Sequence, residues 1–162
     1  MSQIYISIGS NIDKQRYISN AFDALEAVFE QVVFSSVFES EAVGFAGENF
    51  YNLVAGAQTD LPLATVVAQL KQIENDNGRL RSTEKFSART LDLDLLSYDD
   101  IIADQPAQIP RDEITKNAFV LWPLAEIAPA QQLPGTQNTY QQLWQDYDQS
   151  KQKLWIVDFN RT

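Results

Sequence analysis

Leu91, Asp92, Leu93, Asp94 and Leu95 alternate apolar and acidic side chains. A period of two calls for an extended strand with one buried face. That strand, expected over residues 90–98, puts Asp92 and Asp94 on the same face, their backbones roughly 6.5–7 Å apart at about 3.3 Å rise per residue. Two carboxylates so close repel unless a cation sits between them. Just upstream stand Arg79, Arg81, Lys85 and Arg89, a third of the 12 Lys and Arg in the chain. Cations gathered beside paired carboxylates point to polyphosphate with Mg²⁺ as the ligand. Each half also has a plain reading: Asp-x-Asp as the wet side of a half-buried strand, and the basic run as a solvated loop. Their adjacency favours the ligand, but neither identifies a reaction.

Charge narrows the partners. The net charge is −10 and the pI near 4.3, which argues against nucleic acid and anionic membrane surfaces. The chain contains no cysteine and no histidine, so disulfides, thiol chemistry, the usual general base and the commonest zinc ligand are all excluded. The start of the chain lacks a basic region and a long apolar core, so no signal peptide is expected, and no run approaches a membrane span. A cytoplasmic location and a monomer are the expectations. The 162 residues suit a single domain spanning residues 1–162.

In chain order, Gln3 to Ile8 reads as a strand with Ile4, Ile6 and Ile8 on one face, ended by a turn at Gly9, Ser10 and Asn11. Asp13 is placed to cap a helix whose stripe is Ile18, Phe22, Leu25 and Phe29. Val32 to Phe38 reads as one strand, 39–49 as a surface loop and Phe50 to Gln58 as a further strand. Pro62 opens a second helix with the stripe Leu63, Val66, Leu70 and Ile73, and Gly78 ends it. Beyond Tyr98 come a loop marked by Pro106 and Pro110, a short helix over Ala118–Ile127 with Pro123 near one end, a helix over Tyr140–Tyr147 and a closing strand over Leu154–Phe159. The order β-α-β-β-α-β with C-terminal additions predicts an α+β plait, with helices on one face of a mostly antiparallel sheet.

Neither a P-loop nor a dinucleotide-binding glycine motif is present. A longer string is more specific. Glu74, Gly78, Arg79 and Arg81 are followed by Arg89-Thr90-Leu91-Asp92-Leu93-Asp94. Then comes Phe119-Val120-Leu121-Trp122-Pro123-Leu124-Ala125-Glu126. With Gly9-Ser10-Asn11 and Phe50-Tyr51-Asn52, this closely resembles the 6-hydroxymethyl-7,8-dihydropterin pyrophosphokinase family, from Ile4 to about Pro129. The resemblance implies a ferredoxin-like plait and transfer of pyrophosphate from MgATP to the hydroxymethyl oxygen of the pterin, with release of AMP, in folate biosynthesis.

The resemblance also implies residue roles. Asp92 and Asp94 would bind two Mg²⁺ ions that bridge the ATP phosphates, and Arg79 and Arg89 would hold the transferring phosphates. Glu74, Arg81, Lys85 and Leu95 would line the nucleotide site. Asn52 would pair with the polar edge of the pterin. Phe50 and Phe119 would stack on its faces, and Phe86 would stand at the end of the closing loop. The main chain around Ser40–Val43 would meet the pterin edge. These residue types suit such roles, because aromatic faces favour a flat heterocycle and an amide offers a donor and an acceptor together. Without the resemblance, Asn52 reads equally as a strand-edge amide, and Phe50 and Phe119 as core.

The chain departs from the family pattern mainly at the nucleotide. Arg111 and Asp112 follow Ile109-Pro110 where the family has His and Tyr. Asn117 replaces an Arg, Ser82 a Lys, and Glu41 and Ala42 a pair of prolines. Arg111 is the candidate to restore charge at the nucleotide, although a guanidinium fork does not reproduce an imidazole. Intact metal and pterin machinery with altered ATP contacts is therefore expected. Two classes of function stay open, the active pyrophosphokinase and a non-catalytic or repurposed relative that binds pterin or nucleotide. An unrelated metal-dependent transferase sharing only Asp-x-Asp is a third. Joint presence of Arg79, Arg89, Asp92 and Asp94 favours the first.

Overall fold

A computed structural model describes residues 1–41, 48–78 and 90–161. The elements run β1 (Ser2–Ser10), α1 (Lys14–Val28), β2 (Glu30–Phe34), β3 (Val37–Ser40), β4 (Phe50–Thr59), α2 (Leu63–Asp76), β5 (Asp92–Tyr98), α3 (Glu113–Lys116), α4 (Ala118–Ile127), α5 (Tyr140–Asp146) and β6 (Leu154–Val157). The sheet order is β5-β1-β4-β3-β6, with β2 also paired to β4, and every pairing is antiparallel. The α+β plait expected from the element order is the fold observed.

One face of the sheet carries the main core. Ile4, Ile6 and Ile8 of β1 lie there with Leu53, Ala55 and Ala57 of β4 and Leu93 and Leu95 of β5. They pack on Ile18, Phe22 and Leu25 of α1 and on Val66, Leu70 and Ile73 of α2. These are the helical stripes read from the sequence, except that Phe29 lies just past the end of α1, though still buried in this core, and Leu63 is only partly buried at the margin. The expectation of helices on a single face needs correction. The opposite face presents Tyr5, Val54 and Leu96, and these pack with Val120, Leu121 and Leu124 of α4 and Tyr140 of α5. Apolar residues on both faces of the central strands require cover on both.

Other boundaries differ for identifiable reasons. Val32 to Phe38 is two strands, broken at Ser35 and Ser36. The Val54 N–H donates to Ser35 Oγ at 2.9 Å, and the Ser35 N–H to the Val54 carbonyl at 2.9 Å. A side-chain hydroxyl thus stands in for a backbone partner and interrupts the ladder. β1 does not turn at Gly9, because Gly9 is paired with both Asn52 and Asp92. Asp13 is the N-cap residue of α1, but it accepts from Arg16 and Tyr17 through its carbonyl, with no side-chain cap bond. Gly78 lies just past α2 at φ +76°, where lack of a Cβ avoids strain. Pro123 lies inside α4 rather than near an end, which leaves the Phe119 carbonyl without its usual N–H donor.

Candidate active site

The site is built on the α4 side of the sheet, where register brings four residues into one row. Phe38 pairs with Asn52, Asn52 with Gly9, and Gly9 with Asp92. Paired residues share a face, so Asn52 and Asp92 look the same way from strands on either side of Gly9, with backbones roughly 10 Å apart at about 4.8 Å per strand. β1 sends no side chain between them, because position 9 is glycine. A Cβ there would lie 3.1 Å from Asn52 Oδ1. Sequence reasoning treated Gly9 as a turn residue; its role in keeping this gap open depends on cross-strand register.

Asn52 is buried and fixed. Its Nδ2 donates to Ser40 Oγ at 2.9 Å inside the protein. Phe50 precedes it by one period and so points to the same face. α4 covers this face at β3 and β4, carrying half-buried Phe119 at its second position. A chain of aromatic contacts fixes that helix. Trp122 packs on Phe38 with ring centroids 4.7 Å apart and stacks on Trp144 at 5.3 Å, and Trp144 stacks on Tyr147 at 5.7 Å. The Ala118 N–H donates to Gln152 Oε1 at 2.7 Å, and Gln152 Nε2 donates to Asn117 Oδ1 at 3.0 Å. Asn117, which stands where the family has an Arg, helps anchor the start of α4.

At the far edge, no further strand lies beside β5 among the described residues. Asp92 and Asp94 are half-buried on the α4 face, as their spacing predicts. Glu74, in the last turn of α2, accepts the Leu93 N–H at 2.7 Å through Oε2. It therefore holds the main chain between the two acids. Leu95 has its side chain in the core, 5% exposed. Its main chain shares the outward orientation of Leu93, so backbone groups rather than the side chain face the edge of the sheet.

Arg111 reaches the acids from the segment before α3. Its Nη1 lies 3.8 Å from Asp94 Oδ1, and its Nη2 donates to Glu113 Oε1. Burial works against the guanidinium charge, but Asp94, Glu113 and Asp92 outweigh it and raise its pKa. Glu113 gave no sequence signal, since a single-turn helix is too short to show periodicity. Asp112 is exposed and paired with Lys116 at 2.9 Å, turned to solvent. Val43, Arg79, Arg81, Lys85, Phe86 and Arg89 lie outside the described residues, as do Ala42 and Ser82.

Asp92 and Asp94 offer oxygen donors only, and no group of three or more metal-ligating side chains occurs among the described residues. Two carboxylates with the rest of the coordination left to phosphate and water fit Mg²⁺, and do not fit a structural zinc site. The Asn52 amide stands across the cleared strand from the two carboxylates.

A family model described as 7,8-dihydro-6-hydroxymethylpterin-pyrophosphokinase (HPPK) matches residues 5–129. The chain belongs to this family. The 2-amino-4-hydroxy-6-hydroxymethyldihydropteridine pyrophosphokinases of Aquifex aeolicus and Pseudomonas aeruginosa are each 35% identical to it. The first alignment covers 80% of this chain and 82% of the relative; the second covers 83% and 85%. Among solved structures, the HPPK-DHPS protein of Plasmodium falciparum superimposes with a TM-score of 0.70 at 12% identity. That match covers 91% of this chain and 44% of the other, so this chain spans less than half of it, and the likeness concerns the HPPK fold. No helix among the described residues is long and apolar enough to cross a membrane.

Proposed function

We propose that this chain transfers the pyrophosphoryl group of ATP to the hydroxymethyl oxygen of 6-hydroxymethyl-7,8-dihydropterin, releasing AMP, in the folate pathway. The observation that carries the reading is the row Asn52, Gly9, Asp92 on one face of the sheet. A pterin has its amide-like edge at one end and its hydroxymethyl arm at the other. With the edge on Asn52, the arm extends over Gly9 toward Asp92 and Asp94. Phe50 and Phe119 line the ring, and the Ser40–Val43 main chain meets its edge.

Asp92 and Asp94 would hold two Mg²⁺ ions, which when bound neutralise phosphate charge. Arg79 and Arg89 grip the phosphates being transferred. Glu74 supports the β5 backbone, while Arg81, Lys85, the Leu95 main chain and Arg111 complete the nucleotide side. The hydroxymethyl oxygen forms a bond to the β-phosphorus, the bond between that phosphorus and the bridging oxygen to the α-phosphate breaks, and AMP carries that oxygen away. The hydroxyl proton passes to water or a phosphate oxygen. Positioning and charge neutralisation dominate such transfers, which is consistent with a chain that has no histidine. In this reading residues 1–162 form one catalytic domain that works as a cytoplasmic monomer.

A second reading, a relative that binds without turnover, draws on the Arg111 contact to Asp94 and on Asn117 being held by Gln152. Kinetics separate the two. Asp94→Ala is expected to lower AMP release at least about a thousandfold, and Arg89→Ala to lower kcat more than it raises KM. Unchanged rates in both variants would contradict these roles, and a wild-type chain that binds both substrates but forms no AMP would establish the second reading.

A further inference from the structure

We infer that Arg111 guards the acidic pair against free divalent metal and yields it when nucleotide phosphates arrive, so that metal enters as its nucleotide complex. This rests on the reading of Asp92 and Asp94 as the metal ligands.

The Arg111 N–H donates to the Leu96 carbonyl at 3.0 Å. The guanidinium is thus positioned by the same strand that carries both acids. Its contact to Asp94, 3.8 Å, is an ion pair too long for a hydrogen bond, so it neutralises the carboxylate without locking it. Both side chains are about 30% exposed, at 29% and 30%, which leaves the pair less screened than a surface pair. Glu113 holds Nη2 from the other side, while the buried Nε has no hydrogen-bond partner. The fork therefore keeps a donor unused. The Nε is enclosed where it stands, and a phosphate oxygen would satisfy it once the side chain turns outward, because guanidinium and phosphate match in geometry.

These contacts set an order of events. A bare cation must compete with Arg111 for Asp94 and then face a displaced positive charge. A cation arriving with triphosphate brings the anion to which Arg111 can turn. Metal and nucleotide then strengthen each other's binding, by equal factors at equilibrium.

The test is calorimetric and paramagnetic titration of Mn²⁺, alone and with a non-hydrolysable ATP analogue, into wild type, Arg111→Gln and Asp94→Asn. Arg111→Met, which keeps the apolar stem, replaces the Gln variant if that proves unstable. Loss of Arg111 is expected to tighten Mn²⁺ alone about three- to tenfold and to weaken the nucleotide complex. A merely structural role would weaken both, so the opposite signs are diagnostic. Arg111→Lys, which keeps the charge, should bind Mn²⁺ alone close to wild type. Unchanged or weaker Mn²⁺ binding on loss of Arg111, with Asp94→Asn losing the metal, overturns the guarding role alone. Mn²⁺ binding undiminished in Asp94→Asn overturns the metal-site reading beneath it.

Discussion

Gly9 is the smallest residue in the site and has the most exact requirement. A methyl group there would sit 3.1 Å from Asn52 Oδ1, tighter than ordinary contact, and Asn52 cannot yield without straining its bond to Ser40. Gly9→Ala is therefore expected to raise KM for the pterin about tenfold, the effect of disturbing one buried hydrogen bond, while kcat changes less than about threefold. Steady-state kinetics with MgATP saturating will show it. A loss confined to kcat would mean that Gly9 serves the phosphate side. At this scale the sequence was informative about residue type and weak about partners. The Asp92 and Asp94 face followed from alternation alone. The tie from Asn117 to Gln152 spans 35 positions, and no local pattern announces it. Arg111 was marked as a departure from the family, but the acid it contacts became visible only with the fold.

Elements were legible where periodicity was long. The stripes of α1 and α2 and the alternation of β1 repeat often enough to declare their geometry. α4 was located with its boundaries because its ten residues are apolar apart from Glu126, although Pro123 suggested an end rather than an interior. The β2–β3 break was not legible, since Ser35 and Ser36 interrupt the apolar run only as small polar residues. Its cause is the exchange between Ser35 and Val54. Ser35→Ala should leave the Val54 N–H buried without its acceptor, at a cost of about 1–3 kcal/mol, measured as a shift in the urea midpoint with an unchanged slope. No shift would mean that the N–H finds another acceptor. The reciprocal capping box that Thr139 and Gln142 form at the start of α5 played no part in placing that helix from sequence.

At the scale of the molecule, one sheet separates two cores, and their burial has a consequence at alkaline pH. Tyr140, the first residue of α5, is fully buried, with its ring edge-on to Tyr5 at 6.4 Å. Burial pushes its phenol above the ordinary 10.0, and Tyr5 is shifted the same way. The folded state therefore favours the neutral phenol more than the unfolded chain does. That stability is fully present below about pH 10 and is lost as pH rises toward the folded value. Melting temperatures are expected to fall above about pH 10 in wild type and to fall less in Tyr140→Phe; parallel curves would assign the alkaline loss to other groups. Two-sided cover is also where the sequence reading of the whole fell short. Tyr5, Val54 and Leu96 lie on different strands, so their common apolar face emerges only when the strands are assembled.

The central claim is that one face joins a pterin amide site to a metal-held triphosphate. Phosphorus NMR of the purified protein with MgATP and 6-hydroxymethyl-7,8-dihydropterin tests it most directly. AMP and the pterin pyrophosphate ester are expected in equal amounts, with neither formed when Mg²⁺ is chelated. Release of ADP or orthophosphate in place of AMP, or AMP formed without the pterin ester, would contradict it.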